Sequence, residues 1–344
     1  MQKNISLIVL FMMCFSLVNA QPKVELVSKP AEKKIDVLID GNLFTSYIYP
    51  STIKKPVLWP VVTVGGNEIT RQFPLKNKAG ERADHPHHVG IWLNYGDVNG
   101  LDFWNNSDAI PKEKAAGYGT IYHEAVKKEK SGKGEADLVT TASWKDINGK
   151  KLLEETTENK FIVKGTTRII DRTTTLKAVD GKVNITDNKE GMFAIRVTRE
   201  LELPSTGKVE LVDSHGVVTK VEASDDNIAN ANYLSSEGIT GGDVWATRAK
   251  WMKLYGVVNG EQVAIVIFDH PKNPGYPTYW HARGYGLFAA NTLGQKVFSE
   301  GKEEMNFSIE NGKSATFRYR LAVFSGNPSV DELNKMAKDY ESTK

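Results

Sequence analysis

Ile35-Asp36-Val37-Leu38-Ile39-Asp40-Gly41-Asn42-Leu43-Phe44-Thr45-Ser46-Tyr47-Ile48-Tyr49 places two runs rich in β-branched and aromatic residues on either side of an Asp-Gly dipeptide. Such dipeptides adopt the positive φ angles that tight turns demand, so the stretch predicts a hairpin of two antiparallel strands. The same grammar recurs at Asn148-Gly149, Asp180-Gly181, Asn259-Gly260 and Asn311-Gly312, each lying between two β-rich runs. Residues 134–146, 161–177, 192–201 and 315–324 are strand-length runs enriched in Thr, Val, Ile and aromatics. Helix is expected at the C-terminus, where Ser329-Val330-Asp331-Glu332 has capping-box spacing and Leu333, Met336, Ala337 and Tyr340 recur at helical intervals. Long strands without alternating helices imply an all-β fold, a sandwich of two large antiparallel sheets packed face to face, with the C-terminal helix laid on one of them.

Outward from these strands, the N-terminus reads differently. Lys3 precedes an apolar run over 5–18, and Val18-Asn19-Ala20 then offers small residues, the pattern of a signal peptide over 1–20 cleaved after Ala20. The run is shorter than the roughly 20 residues a membrane span needs, and nothing later in the chain reaches that length, so no membrane span is expected. Phe11-Met12-Met13 puts bulky residues before Cys14, which argues against lipid attachment there. Cys14 is the one cysteine, so cleavage leaves none for disulfides, which suits a periplasmic or secreted protein of bacterial type. The remaining length suits one large β domain or two ordinary ones. Lys plus Arg number 44 against 42 Asp plus Glu and are spread along the chain, with no basic block to follow a phosphate backbone, so nucleic acid is not an expected partner.

Polar chemistry concentrates in three stretches. In Asp84-His85-Pro86-His87-His88-Val89-Gly90-Ile91-Trp92-Leu93-Asn94-Tyr95, three of the seven histidines lie within four residues. Imidazole changes charge near neutral pH and is the commonest nitrogen ligand for metals. An extended run would place Val89, Ile91 and Leu93 on one face and His88, Trp92 and Asn94 on the other, with Pro86 breaking the register so that the histidines stand at a strand entrance. Structural histidines bonded to loop carbonyls are the plain alternative. In 268–288, a buried strand runs to Phe268, a Pro-rich loop follows, and a second strand puts Tyr279, His281, Arg283 and Tyr285 on one face. Aromatic rings beside polar groups suit a sugar, which has apolar C–H faces and hydroxyl edges; an Arg covering a core edge between tyrosines is the alternative. The third stretch, 238–251, is a Gly-rich loop in which Trp245, Arg248 and Trp251 pair rings with a cation; it lacks the strand-to-helix context of a phosphate loop. Arg196, opposite Phe193 and Ile195, reads as structural.

Taken together, Asp84-His85-Pro86-His87-His88 with Gly90-Ile91-Trp92, Gly96-Asp97-Val98-Asn99-Gly100, Asp102-Phe103-Trp104, Gly191-Met192-Phe193, Asp269-His270-Pro271 and Thr278-Tyr279-Trp280-His281-Ala282-Arg283 resemble secreted bacterial proteins catalogued as "methane oxygenase PmoA-like". Methane oxidation is not implied, because the membrane subunit bearing that name is built from transmembrane helices and this chain reads as strands. The resemblance implies a β-supersandwich similar to galactose mutarotase, formed as one domain over 21–344, and an association with glycan use.

The reading favoured is a carbohydrate-active enzyme of glycan catabolism, a hydrolase or lyase acting on a sugar or glycoside. His85, His87, His88, His281 and Asp269 are its candidate catalytic groups, and Arg283, Tyr279, Tyr285, Trp92, Trp280 and Asn94 its candidate substrate contacts. No cofactor is required; a divalent metal ion held by two or more of His85, His87, His88 and His270 is the one that the residues suggest. A mutarotase or epimerase pairing a His with Asp269 or Glu300, and a glycan-binding protein without turnover, are the alternatives. No pair of carboxylates is singled out by spacing for a two-carboxylate glycosidase, and no Gly-x-Ser-x-Gly elbow is present.

Overall fold

The structure is a computed structural model that describes residues 21–222 and 228–343. The expected signal segment, with Cys14 and the junction after Ala20, lies outside those residues.

Asp40 and Gly41 take φ angles of 48° and 80° while Ile39 pairs with Asn42 across them, so the first hairpin turns in two residues. Asn259 (φ 48°) and Gly260 (φ 83°) do the same between Trp251–Val258 and Glu261–Asp269. Asn148-Gly149 joins the paired strands Glu135–Lys145 and Lys151–Lys164, helped by Asp146, whose carboxylate accepts from the backbone N–H of Asn148 and of Lys150. The other two dipeptides close no hairpin. Thr167–Ala178 is paired with Ser314–Ser325, and beyond Asp180-Gly181 and Asn311-Gly312 their continuations, Val183–Ile185 and Phe307–Ile309, pair with each other as a separate ribbon. The Gly181 N–H donates to Asn311 Oδ1 at 3.2 Å, so the two turns bend one strand pair side by side. The run 161–177 also differs from expectation, because it holds two strands that meet around Gly165 (φ 58°). The run 192–201 is strand only to Arg196 and ends in a 3-10 turn, Arg199–Leu201.

Two large antiparallel sheets result. One has nine strands in the order Tyr279–Ala282, Leu287–Asn291, Gly191–Arg196, Ile91–Tyr95, Val57–Val61, Asn42–Ile48, Lys34–Ile39, Lys23–Lys29 and Gly132–Lys133. The other has eight, with Glu261–Asp269 and Ser314–Ser325 near its centre. Their facing sides share one apolar cluster, with Phe44, Leu93, Phe193 and Phe288 from the first sheet and Leu138, Phe161, Ile265 and Leu321 from the second. The helix Val330–Glu341 starts at the expected capping box and lays Leu333, Ala337 and Tyr340 on Ile169, Val266 and Phe268, on the outer side of the eight-stranded sheet. Among the described residues no helix is long and apolar enough to cross a membrane.

Strand alternation decides what faces outward on the nine-stranded sheet. Leu93, Phe193, Ile195, Trp280, Ala282, Phe288 and Ala290 point to the shared core, so Trp92, Ala194, Arg196, His281 and Ala289 take the opposite face. The register aligns His281 with Ala289, Ala289 with Ala194, and Ala194 with Trp92, one row across four strands. Two alanines between larger side chains leave a trough in that row. The Trp104 indole packs in the same cluster, 5.2 Å from the Trp92 ring and 6.4 Å from that of His281.

Candidate functional site

A tight turn delivers the histidines to this outer face. The His88 N–H donates to the His85 carbonyl at 2.9 Å, and His85 itself has φ 43°. Gly90 follows with φ 58°, and a Cβ there would stand 2.2 Å from the Leu58 carbonyl oxygen, so only glycine fits. Gly90 also breaks the alternation. Val89 therefore packs with Trp92 on the outer face, and not with Ile91 and Leu93 as a continuous strand would have it.

Beneath the turn lies a buried charge network. Asp84 Oδ1 accepts from Arg71 Nη1 at 2.8 Å and Arg196 Nη2 at 2.6 Å, and Arg71 also donates to the carbonyls of Asp84, His85 and His88. Burial alone would raise the Asp84 pKa, but the hydrogen bond from His85 and the charges of Arg196 and Arg71 outweigh it and hold the carboxyl well below its ordinary range. Burial, with Arg196 beside it, pushes Arg71 down to about 9. Arg196 Nη1 lies 3.1 Å from His88 Nδ1. A guanidinium can only donate, so Nδ1 is the acceptor and the neutral His88 ring carries its proton on Nε2.

Above the network is a cleft of about 470 Å³ lined by His85, His87, His88, Asn105, Lys189, Glu190, Trp245, His281, Arg283 and Tyr285. The His85 ring is parallel to those of His88 (4.9 Å) and Tyr285 (5.1 Å). Arg283 leaves the strand end at a short turn, where its N–H donates to the Leu287 carbonyl, and its guanidinium lies over Trp245 (5.4 Å) and Tyr285 (5.8 Å). Glu190 Oε2 is 3.8 Å from His281 Nδ1, and its other oxygen is paired with Lys189. Burial pushes His87 down to about 2, with the Lys55 charge acting in the same sense, and pushes His281 down to about 3. His88 is driven well below its ordinary value, also by burial first. These three rings are neutral at pH 7. His87 Nε2, His88 Nε2 and His281 Nδ1 are buried without a hydrogen-bond partner among the described residues.

The structure thus brings His85, His87, His88, His281, Arg283 and Tyr285 to one cleft and places the other candidates elsewhere. Asp269 is spent on the loop after its strand: it accepts from the N–H of His270 and Thr278 and from Asn273 Nδ2, and burial raises it to about 7. His270 meets Tyr340 of the C-terminal helix edge-on, on the eight-stranded sheet. Tyr279 stacks on Phe298 beneath the Arg248 guanidinium. Trp280 points into the shared core, as alternation from His281 requires, and its indole N–H donates to the Ala249 carbonyl. Trp92 and Asn94 are fully buried; Trp92 backs His88 at 5.4 Å, and Asn94 donates to the Phe103 carbonyl. Glu300 is exposed away from the cleft. Trp251 bonds Asn334 of the C-terminal helix.

The four-histidine metal set does not assemble. His270 is elsewhere, the His88 Nδ1 lone pair is taken by Arg196, and among the described residues no three His, Cys, Asp or Glu side chains are arranged to hold a metal ion. Lys189, Glu190 and Asn105 were not anticipated, since nothing local marks them; they reach the cleft through strand order. Arg196 was read as structural, and its contacts with Asp84 and His88 come from residues more than 100 positions away. Lys55 was also missed, because Lys54-Lys55-Pro56 reads as a solvated turn. It is buried, donates to the His87 carbonyl at 2.6 Å, lies over the Trp92 ring and is lowered by burial to about 7.

Among solved structures, the chain is similar to the galactosidase domain of an α-galactosidase–sucrose kinase, at 7% identity and a TM-score of 0.44 over 87% of this chain and 42% of that one. It is similar to the GH36 α-galactosidase AgaB from Geobacillus stearothermophilus at 10% and 0.41, over 87% and 40%. It is similar to a galactose mutarotase related enzyme from Lactobacillus acidophilus at 8% and 0.31, over 88% and 98%. The chain spans about two fifths of the length of the first two. An activity does not follow from likeness at this distance and has to be argued from the cleft. A search among curated proteins found no match. Residues 34–338 match the family of unknown function DUF6807, and the chain belongs to that family.

Proposed function

We propose that this protein is a carbohydrate-active enzyme that cleaves a sugar or glycoside, by hydrolysis or elimination, in the cleft over the nine-stranded sheet. One observation carries the reading: residues 85–88 and 281–285, far apart in sequence, converge on a single cleft in which three neutral imidazoles keep a buried nitrogen without a hydrogen-bond partner among the described residues. An unsatisfied buried polar atom costs about 1–3 kcal/mol, so three in one place mark groups kept for a ligand. The exposed Trp245 offers a ring face to a sugar's C–H surface, and His88 Nε2–H is a fixed donor. No step is routed through a metal.

The Glu190–His281 pair, at 3.8 Å, favours a second reading, a mutarotase in which the imidazole serves the ring oxygen and the carboxylate the anomeric hydroxyl. Two assays separate the readings: release of reducing ends or of aglycone from a glycoside panel, and polarimetry on freshly dissolved aldoses. Cleavage lost in His87→Ala and in His281→Ala, with unchanged melting temperature, supports the first reading. Accelerated mutarotation without cleavage, lost in Glu190→Gln, supports the second. Glycan binding with neither activity, unaltered in both His variants, makes the cleft a binding site only.

A further inference from the structure

We propose that the sugar taken by this cleft carries a carboxylate, as a uronic acid does, and that Arg283 is the residue that recognises it. This rests on the carbohydrate reading above and adds the charge of the substrate. Three permanently charged side chains line the cleft, Lys189, Glu190 and Arg283. Asp84 is held by Arg71 and Arg196, and Glu190 is paired with Lys189. Asp102, which positions the cleft residue Asn105, has its oxygens occupied by the N–H groups of Trp104 and Asn105 and by Asn105 Nδ2. His87 and His281 are neutral at pH 7. Arg283 is the exception, an exposed guanidinium on the cleft wall with no carboxylate within ion-pair distance among the described residues.

Its environment is not that of a surface arginine left to wander. The backbone is pinned by the bond from its own N–H to the Leu287 carbonyl and by the Gly286 N–H, which donates to the Arg283 carbonyl at 3.1 Å. The guanidinium carbon lies 5.4 Å from the centre of the Trp245 ring and 5.8 Å from that of Tyr285, within cation–π distance of both. Guanidinium edges match the two oxygens of a carboxylate, and an arginine already held by rings loses less freedom on binding. Trp245, exposed by 37%, also offers an apolar face to the pyranose that bears the carboxylate, so charge and stacking act on one sugar unit.

The test is calorimetric binding of four probes, the methyl glycosides of galacturonic and glucuronic acid and of galactose and glucose, with galactose 6-sulfate as a further anion. It is run on the wild type, Arg283→Gln and Arg283→Lys. We expect at least one uronide to bind tenfold or more tightly than its neutral counterpart. Arg283→Gln should remove that preference, lowering uronide affinity tenfold or more beyond any change in neutral-sugar affinity, with melting temperature unchanged, and Arg283→Lys should restore part of it with a steeper salt dependence. Equal binding of acidic and neutral sugars, or a preference that survives in Arg283→Gln, overturns the inference and leaves the carbohydrate reading standing. Tighter binding of the sulfate than of either uronide overturns the carboxylate. If no sugar of either class binds, both the inference and the carbohydrate reading fall.

Discussion

Replacing Asp84 by Asn changes one atom's chemistry and tests whether the charge network is what holds the histidine turn. The side chain keeps its shape, but the one negative charge shared by two arginines, exposed by 1% and 0%, is gone. Two hydrogen bonds, from Arg71 at 2.8 Å and Arg196 at 2.6 Å, pass from a carboxylate to an amide oxygen and lose their anionic acceptor. At about 1–1.5 kcal/mol lost for each bond when the carboxylate becomes an amide, the loss is about 2–3 kcal/mol. That lies at the low end of the roughly 3–5 kcal/mol for leaving a buried charge unpaired, since Arg71 keeps its backbone acceptors. The sign with pH follows from the lowered pKa of Asp84. A carboxylate stronger in acid in the folded state contributes its stability above the unfolded value of 3.8 and loses it as pH falls below that. Urea unfolding of wild type and Asp84→Asn, at pH 7 and again near pH 3.5, should show the full gap at neutral pH and a narrower one in acid. A difference below about 1 kcal/mol at pH 7, or one that widens in acid, would refute the argument.

Three further outcomes are expected. Gly90→Ala should cost at least about 3 kcal/mol or abolish soluble expression, because positive φ and a clash with the Leu58 carbonyl coincide, whereas Gly41→Ala, with open space around its Cβ, should be milder by urea unfolding. Lys55→Met should stabilise at pH 6 by about 1–4 kcal/mol, and the gain should shrink between pH 7 and 10.5, because the folded lysine sheds its proton in that window while the unfolded one keeps it. Export should yield a mature protein whose mass begins at Gln21; retention of Cys14 with an attached lipid would show the signal to be of the lipoprotein kind.

What the sequence disclosed was local. Asp40-Gly41 and Asn259-Gly260 specify their turns without help from the rest of the chain, and Ser329 with Glu332 starts its helix in the same way. Asp180-Gly181 and Asn311-Gly312 carry the same signal and yet bend a strand pair, because a positive φ angle turns the chain without saying which strand comes next. Of the expected face of Tyr279, His281, Arg283 and Tyr285, local alternation accounts for His281 and removes Trp280 from the site. The strand ends at Ala282, so Arg283 and Tyr285 reach the cleft from the turn that follows, and Tyr279 does not line it. The ion network was not legible. Asp84 and Arg196 are 112 positions apart, and only the register of Gly191–Arg196 on Ile91–Tyr95 brings them together. Lys189 and Glu190 reach the cleft through the same pairing.

The state of the imidazoles limits which chemistry the cleft can perform. Burial makes protonation hard, so His87 at about 2 and His281 at about 3 remain neutral throughout the range in which an ordinary histidine, near 6.5, changes charge. Neither ring can then be the group that delivers a stored proton at pH 7. Each serves as a hydrogen-bond partner or as an acceptor that returns its proton within the turnover, and Glu190 at 3.8 Å from His281 Nδ1 would stabilise the imidazolium so formed. For the proposed cleavage, kcat/KM should therefore show no inflection near 6.5 that disappears in His281→Gln. Folding stability should behave differently. The unfolded chain takes up protons at these histidines below 6.5 while the folded one does not, so stability should fall as pH drops from 7 towards 4. His281→Gln should flatten that slope. An inflection in kcat/KM near 6.5 that is lost in His281→Gln, or a stability curve between pH 7 and 4 that the substitution leaves unchanged, would show that the ring is solvated and charged in the free protein, and the neutral-imidazole account of the cleft would be wrong.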